Sequence, residues 1–82
     1  MDWQIKISIL RRYETYCYQI CYYLIQNESN ASQAAKEALL SIAVDAFFFT
    51  DSDETRREKI RRISIDKSLL WQGNGLRNNT VV

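Results

Sequence analysis

The chain has 82 residues, 46% of them hydrophobic, no proline, two glycines near the C-terminus, and a formal net charge of +1. That length allows one domain with a thin core, and the apolar content is too high for a disordered tail. The near-neutral balance excludes a protein that coats nucleic acid by charge alone, and the lack of histidine and of a glycine-rich loop leaves catalysis poorly provided for. No apolar run approaches the roughly 18 to 20 residues of a membrane span, and the N-terminus has no basic segment leading an apolar block to a cleavage site. The expectation is a cytoplasmic protein, not an enzyme, with no membrane contact and no cofactor.

The first helical candidate covers residues 3 to 26. Leu10, Tyr13, Cys17, Ile20 and Leu24 are spaced by three and four, which puts them on one stripe of a helix. Its head, Trp3 to Ile9, alternates apolar and polar like a strand; a lone strand has nothing to pair with, so helix is expected there too. Cys17 and Cys21, four residues apart, are expected as small buried apolar residues, in poor geometry for a disulfide. With no histidine and no third cysteine, they do not make a zinc site. Tyr18 and Tyr22 share a face away from the main stripe. Exposed, they suit a protein interface, where tyrosine is enriched; packing against the head of the chain accounts for them equally.

Asn27 to Asn30 reads as a turn, with Asn30 the N-cap of a second helix over about 31 to 48 and Gln33 completing a capping-box-like pattern. Its expected inner face is Ala31, Ala34, Ala35, Ala38, Leu39, Ile42, Ala43, Ala46 and Phe47. So many alanines imply close approach to a neighbouring helix. Residues 50 to 55 form a polar link with Ser52 the best cap. A third helix then runs to about Trp71 or Gln72, with Gly73 as its C-cap. Ile60, Ile63, Leu70 and Trp71 are its expected inner positions, with Ile65 and Leu69 nearby. The domain is thus expected over 1–72, followed by a mobile polar tail over 73–82.

Arg56, Arg57, Lys59, Arg61, Arg62 and Lys67 crowd the third helix among Asp51, Asp53, Glu54, Glu58 and Asp66. One reading is a salt-bridged solvent face, with Asp53–Arg57 and Glu58–Arg62–Asp66 at four-residue steps. The other is phosphate contact through Arg57 and Arg61, one turn apart. Trp71 likewise reads either as a lid on the core or as a platform for an unpaired base.

Over Tyr13 to Leu70 the three-helix frame resembles region 2 of bacterial sigma factors, particularly the small extracytoplasmic-function type. Tyr22-Tyr23-Leu24-Ile25-Gln26-Asn27 is similar to the end of that family's first helix. Asn30-Ala31-Ser32-Gln33-Ala34-Ala35-Lys36-Glu37-Ala38-Leu39 is similar to the opening of its second, with Ala31 and Glu37 identical to the family pattern. Asn30, Lys36 and Leu39 stand where Asp, Gln and Phe are usual, and Ser32 and Gln33 replace an acidic pair. Lys59 to Leu70 resembles the segment that follows, Ile63-Ser64 falling at its Ile-Ala and Asp66 at its asparagine.

The resemblance implies an all-α, three-helix sigma region 2-like bundle that binds RNA polymerase core at the β′ clamp helices and modulates transcription initiation. Gln33, Lys36, Glu37 and Leu40 would face polymerase; Arg57, Arg61, Arg62 and Lys67 would face promoter DNA. The family's second DNA-binding domain has no counterpart here, so a split sigma factor with a second chain supplying that C-terminal domain is one expectation. The rival expectation is a small helical protein–protein interaction module without polymerase or DNA contact. Charge placement discriminates: Arg57 and Arg61 exposed beside the polar face of the second helix favour the first, and neutralisation by Glu58 and Asp66 favours the second. An oligomer built through the long first helix is a third expectation, because the core is thin.

Overall fold

The computed structural model describes the backbone of residues 2–81 and side chains as far as residue 71. Helix α1, Trp3–Ile25, starts at Asp2, whose carboxylate accepts the Gln4 N–H at 3.3 Å. The alternating head is therefore helical, and its alternation has a cost. A helix turns about 100° per residue, so residues two apart cannot share a face. Trp3, Ile5 and Ile7 remain exposed as a result.

α1 ends where Gln26 adopts the left-handed conformation (φ 56°, ψ 38°) and sends its N–H to the Tyr22 carbonyl at 2.7 Å. A non-glycine residue there costs about 1–2 kcal/mol, and in return the chain reverses within two residues. Asn27, extended, then caps α2 by accepting the Asn30 N–H at 2.9 Å. α2 is Glu28–Ala43, so the expected cap at Asn30 lies one turn too late. Asn30 is the residue being capped, and Glu28 sits in the first turn, where its charge suits the helix dipole.

The expected end of α2 at Phe48 is also corrected. Asp45 takes the N–H groups of Phe47 (2.8 Å) and Phe48 (3.2 Å) on one carboxylate oxygen, a side-chain turn that competes with the helix ladder. The chain leaves the helix there and makes a short 3-10 helix, Phe48–Thr50. Phe48 and Phe49 turn inward and are buried, while Ala46 and Phe47, expected inside, are exposed.

α3 is Asp53–Val81, capped by Ser52, whose hydroxyl accepts the Thr55 N–H at 3.2 Å as the sequence suggested. The expected end at Trp71 or Gln72, with Gly73 as C-cap, is corrected: the helix continues through Gly73 as far as Val81, because a single glycine costs a helix only about 1 kcal/mol and does not by itself stop it. Each helix packs on the other two. The core is Tyr13, Cys17 and Cys21 from α1, the alanines and Ile42 from α2, Phe48 and Phe49 from the link, and Ile60 from α3. Tyr13 meets Phe48 edge to face at 5.8 Å. On α3 the inward positions after Ile60 are Ser64 and Ser68, both fully buried, whereas Leu70 is 61% exposed. Ile63 and Trp71 are half-buried against the core. The molecule is an all-α bundle of three helices, and among the described residues none is long and apolar enough to cross a membrane.

Candidate functional site

α2 turns four alanines and Ile42 inward, so its polar side chains and Leu40 point outward. Gln33, Lys36, Glu37 and Leu40 are all exposed on it, which is the surface the resemblance assigned to polymerase. The four divide between two neighbours. Lys36 and Leu40 line an open groove of about 560 Å³ shared with Ile7, Leu10, Arg11 and Glu14 of α1. Glu37 turns the other way, and its carboxylate accepts the Trp71 indole N–H at 2.7 Å. Trp71 is thus both a half-buried lid on the core and a tether between α3 and α2. Nothing in the residue pattern announced the Trp71–Glu37 bond, because it joins residues 34 apart.

The residues assigned to DNA are less united. Arg57 pairs with Asp53 at 3.2 Å, and its guanidinium lies 5.3 Å from the Tyr16 ring centre. Asp53 also accepts the Tyr13 hydroxyl at 2.6 Å. That bond first, and the Arg57 charge after it, hold the Asp53 carboxyl below the ordinary carboxylate range. Arg61 grips Glu58 with two nitrogens, at 2.7 and 3.3 Å, and borders a shallow apolar recess with Tyr16, Ile20 and Tyr23 of α1. Arg62 reaches Glu58 at 3.6 Å but faces α2, beside Ser41, Ile42 and Asp45. Glu58 is lowered by Arg61 first and by Arg62 second. Lys67 is half-buried and has no ion-pair partner among the described residues. The Asp53–Arg57 pair and the Glu58–Arg62 step form as the spacing suggested, but Asp66 takes no part in an ion pair among the described residues.

Arg57 and Arg61 are exposed but lie against α1 rather than beside the polar face of α2, so the charge placement that favours the sigma-like expectation is not met. Each is already compensated, by Asp53 and Glu58.

Two further basic residues do work that the sequence did not disclose. Arg56 donates to the Phe48 carbonyl at 2.9 Å and the Phe49 carbonyl at 2.6 Å, tying the 3-10 turn to α3. Lys59 sits between Asp45 (3.1 Å) and Asp51 (2.6 Å), one acid from each end of the link. Its ammonium pKa is raised, chiefly by the Asp51 bond. Two of the six basic residues of the cluster, Arg56 and Lys59, are thus spent on fastening residues 45 to 51. Only a residue that ends in the right place after folding reveals such a role.

Among the described residues no three His, Cys, Asp or Glu side chains converge as metal ligands. No family model, curated protein or solved structure matches this chain.

Proposed function

We propose that this chain docks on the β′ clamp helices of RNA polymerase through the outer face of α2 and so modulates transcription initiation. The observation that carries this reading is the surface of α2. Its inward positions are four alanines and Ile42, which leave Gln33, Lys36, Glu37 and Leu40 on the outside, and Leu40 is 61% exposed. A leucine displayed between charged residues is the composition of a docking spot, because it gives apolar contact while the charges set orientation. The three-helix order and the likeness of residues 30 to 39 to the clamp-binding helix of sigma region 2 supply the partner.

Promoter DNA is not part of the proposal. Arg57 and Arg61 face one side of α3 and Arg62 the other, and all three already hold carboxylates. Phosphate contact would have to break those pairs for little net gain in charge.

The test is a titration of isolated clamp helices, and of core polymerase, into the chain followed by fluorescence anisotropy. Binding on the order of micromolar is expected to both baits. Lys36→Glu and Glu37→Lys should each weaken it by about tenfold. No binding to either bait up to on the order of 100 micromolar contradicts the proposal. The interaction-module reading then gains. Its surface is the tyrosine face of α1, where Tyr18 and Tyr22 stack at 5.9 Å and Tyr23 is 76% exposed.

A further inference from the structure

We propose that the free chain pairs with a second copy of itself, α1 against α1 in antiparallel orientation, across the groove between α1 and α2. The α1 residues lining that groove are Ile7, Leu10, Arg11, Glu14, Thr15 and Tyr18. Any helical stripe is symmetric in spacing, so a two-fold axis between positions 12 and 13 pairs 7 with 18, 10 with 15 and 11 with 14. What singles out this stripe is the identity of the residues that meet. Arg11 of one copy faces Glu14 of the other, twice over, and Ile7 faces Tyr18, twice over. Self-complementarity of this kind is what an isologous contact requires.

The rest of the surface agrees. Among the described residues Arg11 and Glu14 are exposed and have no ion-pair partner, so both are available to a second copy. The groove continues past Ala43 to Trp3 and Val44, because Ala43 borders both this groove and the recess beside those residues. Trp3 is 60% exposed, Ile7 47%, Leu40 61% and Val44 83%. Four large apolar side chains open to water on one side of a small domain make a patch that a partner is expected to cover. The net charge of +1 offers little repulsion between copies. A consequence rests on the function proposed above: Lys36 and Leu40 line the same groove, so self-pairing and clamp binding compete.

Sedimentation equilibrium of the chain alone, without polymerase, tests the pairing whatever the fate of the clamp reading. The wild type is expected to show a monomer–dimer equilibrium. Arg11→Glu puts acid against acid and Glu14→Arg puts base against base. Each should weaken self-association by about tenfold or more. Both positions are exposed, and unchanged circular dichroism and melting temperature establish that the variants fold. The two single variants mixed together should form a heterodimer, since each basic residue again meets an acid, and the double variant R11E/E14R should recover the wild-type affinity. A wild type that stays monomeric at millimolar concentration overturns the proposal. So does a dimer that ignores both single reversals, or single variants that fail to associate when mixed.

Discussion

Cys17 and Cys21 lie one turn apart with no exposed surface, packed against Ser64 and Ser68 of α3. The Cys17 sulfur is 3.1 Å from the Ser64 hydroxyl. Its contact with Cys21 and its burial together push the Cys17 thiol well above its ordinary range, so it stays protonated. The same contact lowers the Cys21 thiol to about 6, so protonation does not protect it; with no exposed surface on either sulfur, burial does, and we expect no reaction of the native protein with a bulky thiol reagent over hours. Both cysteines should label once guanidinium unfolds the chain; rapid labelling of the native form would contradict this placement. Burial of the cysteines was legible from residue type alone. Burial of the two serines was not, because a periodicity argument counts apolar residues, and a small hydroxyl fits a tight helix contact where Leu70 does not.

Asp53 supplies a second prediction at this scale. Its depressed folded pKa means that its contribution is present above the ordinary carboxylate pKa, about 4, and is lost as pH falls through the lower folded value. Asp45 and Glu58 act in the same direction. Lys59, raised, is the mirror case, contributing below the ordinary lysine value and losing that contribution as pH climbs through its raised one. Tyr13→Phe removes the largest cause of the Asp53 shift. The variant should melt below wild type at pH 7, and the gap should close as Asp53 is protonated on the way to pH 2. Parallel melting curves with a constant gap would contradict the assignment.

At the scale of the element, the link between α2 and α3 departs furthest from the expectation. Apolar spacing carries a helix through Phe48, since Ala46 and Phe47 continue the pattern, but Asp45 offers its carboxylate to two amides and wins locally. Arg56 then holds the resulting turn through two carbonyls. Arg56→Ala should speed hydrogen exchange at residues 47 to 51 well beyond any change in α1, as local opening replaces a fastened turn. An unchanged exchange pattern would show that Phe48 and Phe49 hold the turn unaided. In α2 the alanines have a stricter role. Ala34 and Ala38 have no exposed surface, and an added side chain has nowhere to go. Ala38→Leu should cost about 1–3 kcal/mol by overpacking, read as a lower urea midpoint at unchanged slope. The alanine-rich face was correctly read as close helix approach, while its two ends were not. Caps depend on where one side chain meets one amide, and Asn27 and Asn30 are equally good capping residues by type.

For the whole molecule, the fold class follows from features that any reading of the chain contains: no internal breaker before Gly73 and apolar stripes at helical spacing. The surfaces do not follow in the same way. The residues proposed to meet polymerase, Gln33, Lys36, Glu37 and Leu40, stay exposed because α2 is a regular helix between its ends, so sequence spacing maps directly onto them. The residues that the resemblance assigned to DNA scatter because their partners, Asp53, Glu58 and the Tyr16 ring, come into place only when α1 and α3 pack. The central claim is that the outer face of α2 is a docking surface for the polymerase clamp. At this size the chain suits residue-by-residue nuclear magnetic resonance, and titrating isolated clamp helices into labelled protein tests the claim most directly. The account predicts shifts concentrated at Gln33, Lys36, Glu37 and Leu40, with the Trp71 indole N–H moving as Glu37 exchanges partners. Shifts confined to Tyr18, Tyr22 and Tyr23, or none at saturating clamp helices, would contradict it.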